Sequence, residues 1–156
     1  MARLIPHATI YHFAMLNSVM HNAWLRSVGG RLKSDYRYSA SVVYNNFPWP
    51  DPSEAQCEAI ERTGTGILDA RKHYPGSTLA DLYDPRTMPM DLRKAHEAND
   101  KAVDAAYKYR GAKTDPARIA FLFGLYEGLT SLLPTNDGGR RKGSSRSARR
   151  AGPLNA

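Results

Sequence analysis

Apolar residues recur at helical spacing over residues 10–28, where Ile10, Phe13, Ala14, Met20, Ala23, Trp24 and Val28 fall on one face of a 3.6-residue period. The pattern predicts one helix, stopped at Gly29-Gly30 because glycine takes the left-handed conformation of a helix end. Residues 36–46 then alternate. Tyr36, Tyr38, Ala40, Val42 and Tyr44 occupy one side, and Arg37, Ser39, Ser41 and Asn45 the other, which is strand periodicity with one wet face. Phe47-Pro48-Trp49-Pro50 has to leave the sheet, since proline cannot donate to a ladder.

A second helix is predicted from Ser53, which forms a capping box with Gln56, and Asp51 before Pro52 is an equally good start. It runs toward His73 and is weakened at Gly64 and Gly66, at about 1 kcal/mol per helical glycine. Pro75-Gly76 reads as a turn, and residues 79–83 as a short helical piece. A third helix is predicted over residues 89–109, with Leu92, Ala95, Ala102, Val103 and Ala106 inward. Asp115-Pro116 caps a fourth, which carries Ile119, Leu122, Phe123, Leu125, Tyr126 and Leu129 toward Pro134. After Asn136 the chain reduces to Gly, Ser, Arg and Lys, too little apolar area to offset its ordering entropy, and this tail is expected to be disordered. The fold class is therefore mainly α with a small β element (α+β): about four helices, one or two strands near residues 36–46, and a disordered basic tail.

Composition changes this picture in one respect. The 156 residues suit one ordinary domain or part of a larger one, and 42% hydrophobic content with a mean hydropathy of −0.54 allows a modest core. The net charge of +7 suggests a nucleic-acid binder until it is located: setting aside Arg140, Arg141, Lys142, Arg146, Arg149 and Arg150 leaves +1, so the body is nearly neutral. Cys57, the single cysteine, has no disulfide or ligand-spaced partner, which points to a reducing cytoplasm. No apolar run approaches the roughly 18–20 residues that span a bilayer, and the first residues lack a continuous apolar signal region.

Candidate chemistry concentrates in residues 29–50. In an extended segment Lys33 and Asp35 would share a face about 6.5–7 Å apart. Lysine suits the O6 and N7 acceptors of guanine and aspartate the N4 donor of cytosine, so the pair could read one G·C base pair. On the residues alone, an exposed ion pair worth about 0–1 kcal/mol is the favoured reading. Arg31, Arg37 and Ser39 are candidates for DNA backbone contacts, or an ordinary wet strand face. Tyr36 and Tyr38 are expected to pack under the strand, and Trp24 in the core. Asn45, Asn46, Phe47, Pro48, Trp49 and Pro50 read as a rigid connector whose aromatics dock one part of the protein on the next. The histidines show no carboxylate partners at metal spacing. His73 and His96 are expected at the surface, Cys57 as a small buried hydrophobe, and Asp81, Asp84 and Asp91 as caps of turns and helices. The tail of residues 140–150 offers either salt-sensitive DNA affinity or a solvated end without a partner.

The stretch FAMLNSVMHNAWLRSVGGRLKSDYRYSASVVYNNFPWP, followed by LADLYDPRTMPMDLRKAHEANDKAVDAAY and DPARIAFLFGLYEGL, resembles one family of bacterial enzymes over about residues 5–131. These are the single-chain Type IIL (Mme-like, a subset of Type IIG) restriction–modification proteins and the related class I DNA adenine methyltransferases. The resemblance implies that residues 1–50 are the distal segment of a target-recognition domain and 51–136 a helical C-terminal domain, with 137–156 as the basic tail. It favours Lys33 and Asp35 as the base-reading pair. Asn99 stands where family members look apolar, which implies weaker packing of the third helix. The chain lacks the Asn/Asp-Pro-Pro-aromatic tetrapeptide and the Gly-rich turn of such a methyltransferase. Pro50-Asp51 has no following Asp/Glu-x-Lys of the family's nuclease. The implied function is that of a recognition and C-terminal fragment without catalysis or cofactor of its own. S-adenosylmethionine and Mg2+ would be held by the full-length enzyme, in a bacterial cytoplasm. Double-stranded DNA and the remainder of the polypeptide are the implied partners, with no membrane. The competing class is a free-standing, basic-tailed module that binds nucleic acid or protein.

Overall fold

A computed structural model of the protein describes residues 5–32 and 35–131. In chain order its elements are α1 (Ile10–Leu16), α2 (Val19–Val28), β1 (Gly30–Leu32), β2 (Asp35–Arg37), a π-helical turn (Ala40–Tyr44), α3 (Glu54–Lys72), α4 (Leu79–Leu82), α5 (Met90–Ala106) and α6 (Asp115–Ser131). The class is as expected, mostly helical with one small antiparallel sheet. Helices are more numerous than the sequence pattern suggests.

The first extra helix arises because residues 10–28 form two helices. Short polar side chains make the break: Asn17 Nδ2 donates to the Phe13 carbonyl, and Ser18 Oγ donates to the Met15 carbonyl at 2.7 Å while accepting from the His21 amide. These bonds offer the backbone a stop and a new N-cap in adjacent residues. At the far end, Gly29 does stop α2, though in an extended conformation (φ −68°, ψ 136°). Glycine is required there by proximity, since a Cβ would stand 2.4 Å from the Leu25 carbonyl oxygen.

The three long helices follow their caps. Ser53 and Gln56 form the expected capping box at α3. Asp115 is the first residue of α6 rather than its cap, and its carboxylate takes both Arg26 Nε and Nη2 of α2. Helices α3 and α5 lie antiparallel, with Gln56 Nε2 on the Ala105 carbonyl at one end and His73 on Asp91 at the other. Gly64 is a contact point rather than a weak spot. It is buried against α1, where a Cβ would come within 2.8 Å of the Ala14 Cβ.

Asn99 corrects a second expectation. It is fully buried, yet every strong contact is met: Nδ2 donates to the Ala14 carbonyl at 2.8 Å and Oδ1 accepts from Thr63 Oγ1 at 3.0 Å. The Ala14 carbonyl sits in the last turn of α1, where no intrahelical donor reaches it. Asn99 thus ties α1, α3 and α5 together instead of loosening α5.

One cluster forms the main core, and it draws on both sides of residue 50: Ala14, Met20, Trp24 and Phe47 pack with Ile60, Val103 and Leu122. A smaller cluster of Ile67, Ala70, Leu82 and Leu92 closes the α3–α4–α5 end. Helices α1 and α2 are therefore built into the helical body, and the sheet stands outside it. The basic tail and Pro134 lie outside the described residues.

Candidate nucleic-acid interface

The sheet is a two-stranded ribbon with Gly30 opposite Arg37, Arg31 opposite Tyr36, and Leu32 opposite Asp35. It leaves the end of α2 and returns through Tyr38 to the body. Strand structure ends at Arg37, short of the residues 36–46 predicted. The alternation misleads from Ala40 onward, where the Asn45 amide donates to the Ala40 carbonyl five residues back and the Val43 amide to Ser39. Consecutive valines show the change of period: Val43 is 0% exposed and Val42 is 44% exposed. The Trp24 indole N–H donates to the Val43 carbonyl at 3.0 Å, and Asn46 Nδ2 donates to the carbonyls of Ser41 and Val42.

Of the proposed base-reading pair, Lys33 lies outside the described residues, as does the side chain of Asp35. The backbone of Asp35 opens β2. It is paired with the backbone of Leu32 on β1. The residues proposed for backbone contact are separated. Neighbouring cross-strand pairs point to opposite faces, so Arg31 lies with Tyr36 on one side and Arg37 on the other. Arg31 stacks on the Tyr36 ring at 4.8 Å and donates from Nη2 to its hydroxyl at 3.0 Å. Tyr36, expected beneath the strand, is 40% exposed. Arg37 is exposed and has no ion-pair partner among the described residues. Ser39 Oγ is taken up by Ser41 Oγ at 3.0 Å.

Tyr38 does pack inward. Its hydroxyl meets His21 Nε2 at 3.2 Å, and the His21 ring stands edge-on to Phe47. Burial lowers the His21 pKa to about 4 and raises that of Tyr38 to about 12, so both are neutral near pH 7. As pH falls, the unfolded chain protonates His21 first, near its ordinary 6.5. Stability is full above that value and is lost toward pH 4, by on the order of 3 kcal/mol. Urea titrations at pH 7 and pH 4.5 should therefore show a pH-dependent loss that His21→Gln largely abolishes. An unchanged loss in the variant would assign it to other groups, such as His96, whose pKa burial also lowers.

The connector docks as expected. Phe47 is buried against His21, Trp24 and Tyr107, Trp49 packs on Tyr11 and Tyr44, and the Pro48 carbonyl accepts from the Tyr107 hydroxyl at 2.8 Å. Elsewhere the minor expectations divide. Asp81 caps α4 from the Thr78 box and Asp84 takes the Arg86 amide. Asp91 accepts from the Tyr74 hydroxyl and the Leu92 amide. His73 is exposed but does meet a carboxylate, that of Asp91 at 3.0 Å. That contact and Tyr74 lower the Asp91 pKa. His96 is half-buried rather than at the surface, 2.6 Å from the Tyr83 hydroxyl, and Cys57 is only half-buried. No described helix is long and apolar enough to cross a membrane.

Comparison with known proteins adds a frame to this geometry. Residues 1–51 match the family model described as MmeI, target recognition domain, and residues 52–134 the one described as MmeI, C-terminal domain. DNA methyltransferase A of Bacillus subtilis (strain 168) is 44% identical over 127 residues, which cover 81% of this chain and 14% of that protein. The structure of the Type IIL restriction-modification enzyme MmeI in complex with DNA is similar at a TM-score of 0.80 and 57% identity, over 82% of this chain and 17% of that one. The chain spans less than a fifth of the length of these relatives.

Proposed function

The chain belongs to the MmeI family, with residues 1–51 in its target recognition domain and residues 52–134 in its C-terminal domain, and on that footing we propose that it reads one position of a DNA target for an adenine-N6 methyltransferase of restriction–modification. The observation that carries the proposal is the two-stranded ribbon Gly30–Arg37, which stands outside the common core within the segment matching the recognition domain. A ribbon of this kind fits the major groove of B-form DNA, where all four base pairs differ in donors and acceptors. Lys33, outside the described residues, and Asp35, whose backbone opens β2, would face guanine and cytosine of one pair. Arg31, Arg37 and Ser39 would position the ribbon on phosphates from its two faces.

Transfer chemistry would belong to the rest of the polypeptide. That part would hold S-adenosylmethionine, the flipped adenine and any Mg2+. Helix α6 suits a surface for it: Leu125 and Leu129, one turn apart, are exposed apolar residues on a helix whose Phe123 and Tyr126 cover Trp24.

An exchange of charge tests the reading. Lys33→Glu with Asp35→Arg, introduced into a full-length relative carrying residues 29–50 of this chain, should change one position of the methylated sequence from G toward C. Mapping of methylated sites gives the answer, and an unchanged recognition sequence would sink the proposal.

A further inference from the structure

Away from the ribbon, the segment joining α5 to α6 forms a cleft lined by Lys101, Lys108, Tyr109, Arg110 and Lys113. All four cations are exposed, and none takes part in an ion pair among the described residues. The one carboxylate in the cleft, Asp104, is already engaged by both terminal nitrogens of Arg118. Lys101 and Lys113 also border a neighbouring cleft that holds Glu97, Asp100 and Asp115, whereas Lys108 and Arg110 do not border it, so the positive charge concentrates at Lys108 and Arg110.

Its backbone is rigid. The Lys108 amide donates to the Ala105 carbonyl and the Tyr109 amide to Asp104, the paired bonds of a Schellman helix end. The Tyr109 hydroxyl donates to the Ala112 carbonyl at 2.6 Å, and Gly111 folds so closely over that ring that a Cβ would stand 2.6 Å from the hydroxyl oxygen. Lys108 occupies the helix-end position with φ 54°, the left-handed region that glycine fills without steric cost. A lysine held there carries backbone strain that glycine would relieve, and strain of this kind concentrates where a side chain is used.

A side-chain ion pair connects the segment that forms the cleft to the helix that leads into the ribbon. Asp115, two residues after Lys113, is bonded to Arg26 in the last turn of α2, and the ribbon begins directly beyond that turn at Gly30. The geometry points to a second DNA contact: Lys101, Lys108, Arg110 and Lys113 clamp the sugar-phosphate backbone of the duplex whose bases the ribbon reads. This inference rests on the DNA reading proposed above. Tetrahedral phosphates at regular spacing complement flexible, unpaired cations, and such contacts add affinity without reading sequence.

Two variants of the full chain test it, with a fluorescein-labelled duplex titrated by anisotropy over a range of salt. Lys108→Gln with Arg110→Gln and Lys113→Gln should flatten the slope of log K against log salt by about 2–3, at roughly 0.9 per phosphate contact. The loss should be equal for duplexes of any sequence. The charge-matched set Lys72→Gln, Arg86→Gln and Arg93→Gln, at the opposite end of α3 and α5, should leave the slope unchanged. Lys108→Gly separates structure from binding, because it should raise the Tm while flattening the slope by about 0.9. Wild-type binding with the same slope in all variants would overturn the clamp and leave the ribbon reading intact. No binding of wild type to duplex at low salt would overturn both.

Discussion

Trp24→Ala should destabilise the fold by about 3–5 kcal/mol, the range for removing a large buried aromatic. The indole is 2% exposed and packs against Phe47, Phe123 and Tyr126, so its loss opens a cavity where α2, α6 and the connector meet. A second contribution is polar. The indole N–H is the donor for the Val43 carbonyl in the π-helical turn, and a buried acceptor left without a partner costs about 1–3 kcal/mol. Trp24→Phe isolates that contribution because it keeps most of the apolar volume. Urea denaturation should rank the two variants clearly, with Phe intermediate. A Phe variant as stable as wild type would mean that the hydrogen bond contributes nothing.

The same tryptophan explains where sequence periodicity stops being informative. Residues 36–44 alternate as a strand does, but the turn at Ala40–Tyr44 is held by an indole 19 residues earlier in the chain, and a local pattern carries no trace of that bond. The ribbon was hidden for a related reason. Two residues, Lys33 and Ser34, separate the paired Leu32 and Asp35, and they lack the Asn-Gly or Gly-X signature that marks a tight hairpin in sequence. The long helices were legible because their signals are local: the Ser53–Gln56 box, the inward row Leu92, Val103, Ala106, and the acidic start at Asp115. Asn99 shows the opposite case, a polar residue whose partner carbonyl lies 85 positions away. Charge followed the same rule. Counting residues gives a neutral body, whereas Asp104 is taken by Arg118 and Asp115 by Arg26, which leaves Lys108 and Lys113 without an ion pair among the described residues.

Breaking the Arg118–Asp104 pair should cost as much as losing Trp24. The guanidinium is only 4% exposed and the carboxylate 17%, with bonds of 2.5 and 3.0 Å joining α5 to α6. Arg118 also lies 5.0 Å over the Tyr109 ring. Its hydrogen bond to Asp104 holds the Arg118 pKa above the usual range, so the side chain stays charged and has no neutral form to retreat to. Asp104→Ala leaves that charge buried without a partner, at about 3–5 kcal/mol. Arg118→Met should cost less, because the carboxylate is nearer the surface and can rehydrate. The double variant Asp104→Leu, Arg118→Met removes both charges and fills the space with apolar atoms, and should recover most of the loss, as replacement of buried ion pairs generally does. A double-mutant cycle in urea measures the coupling. Additive losses would mean that the two charges are solvated independently, and the contact between α5 and α6 would then rest on apolar packing, with Leu122 in the core beside Val103 and Ala106 and Phe121 against Tyr107 and Tyr109.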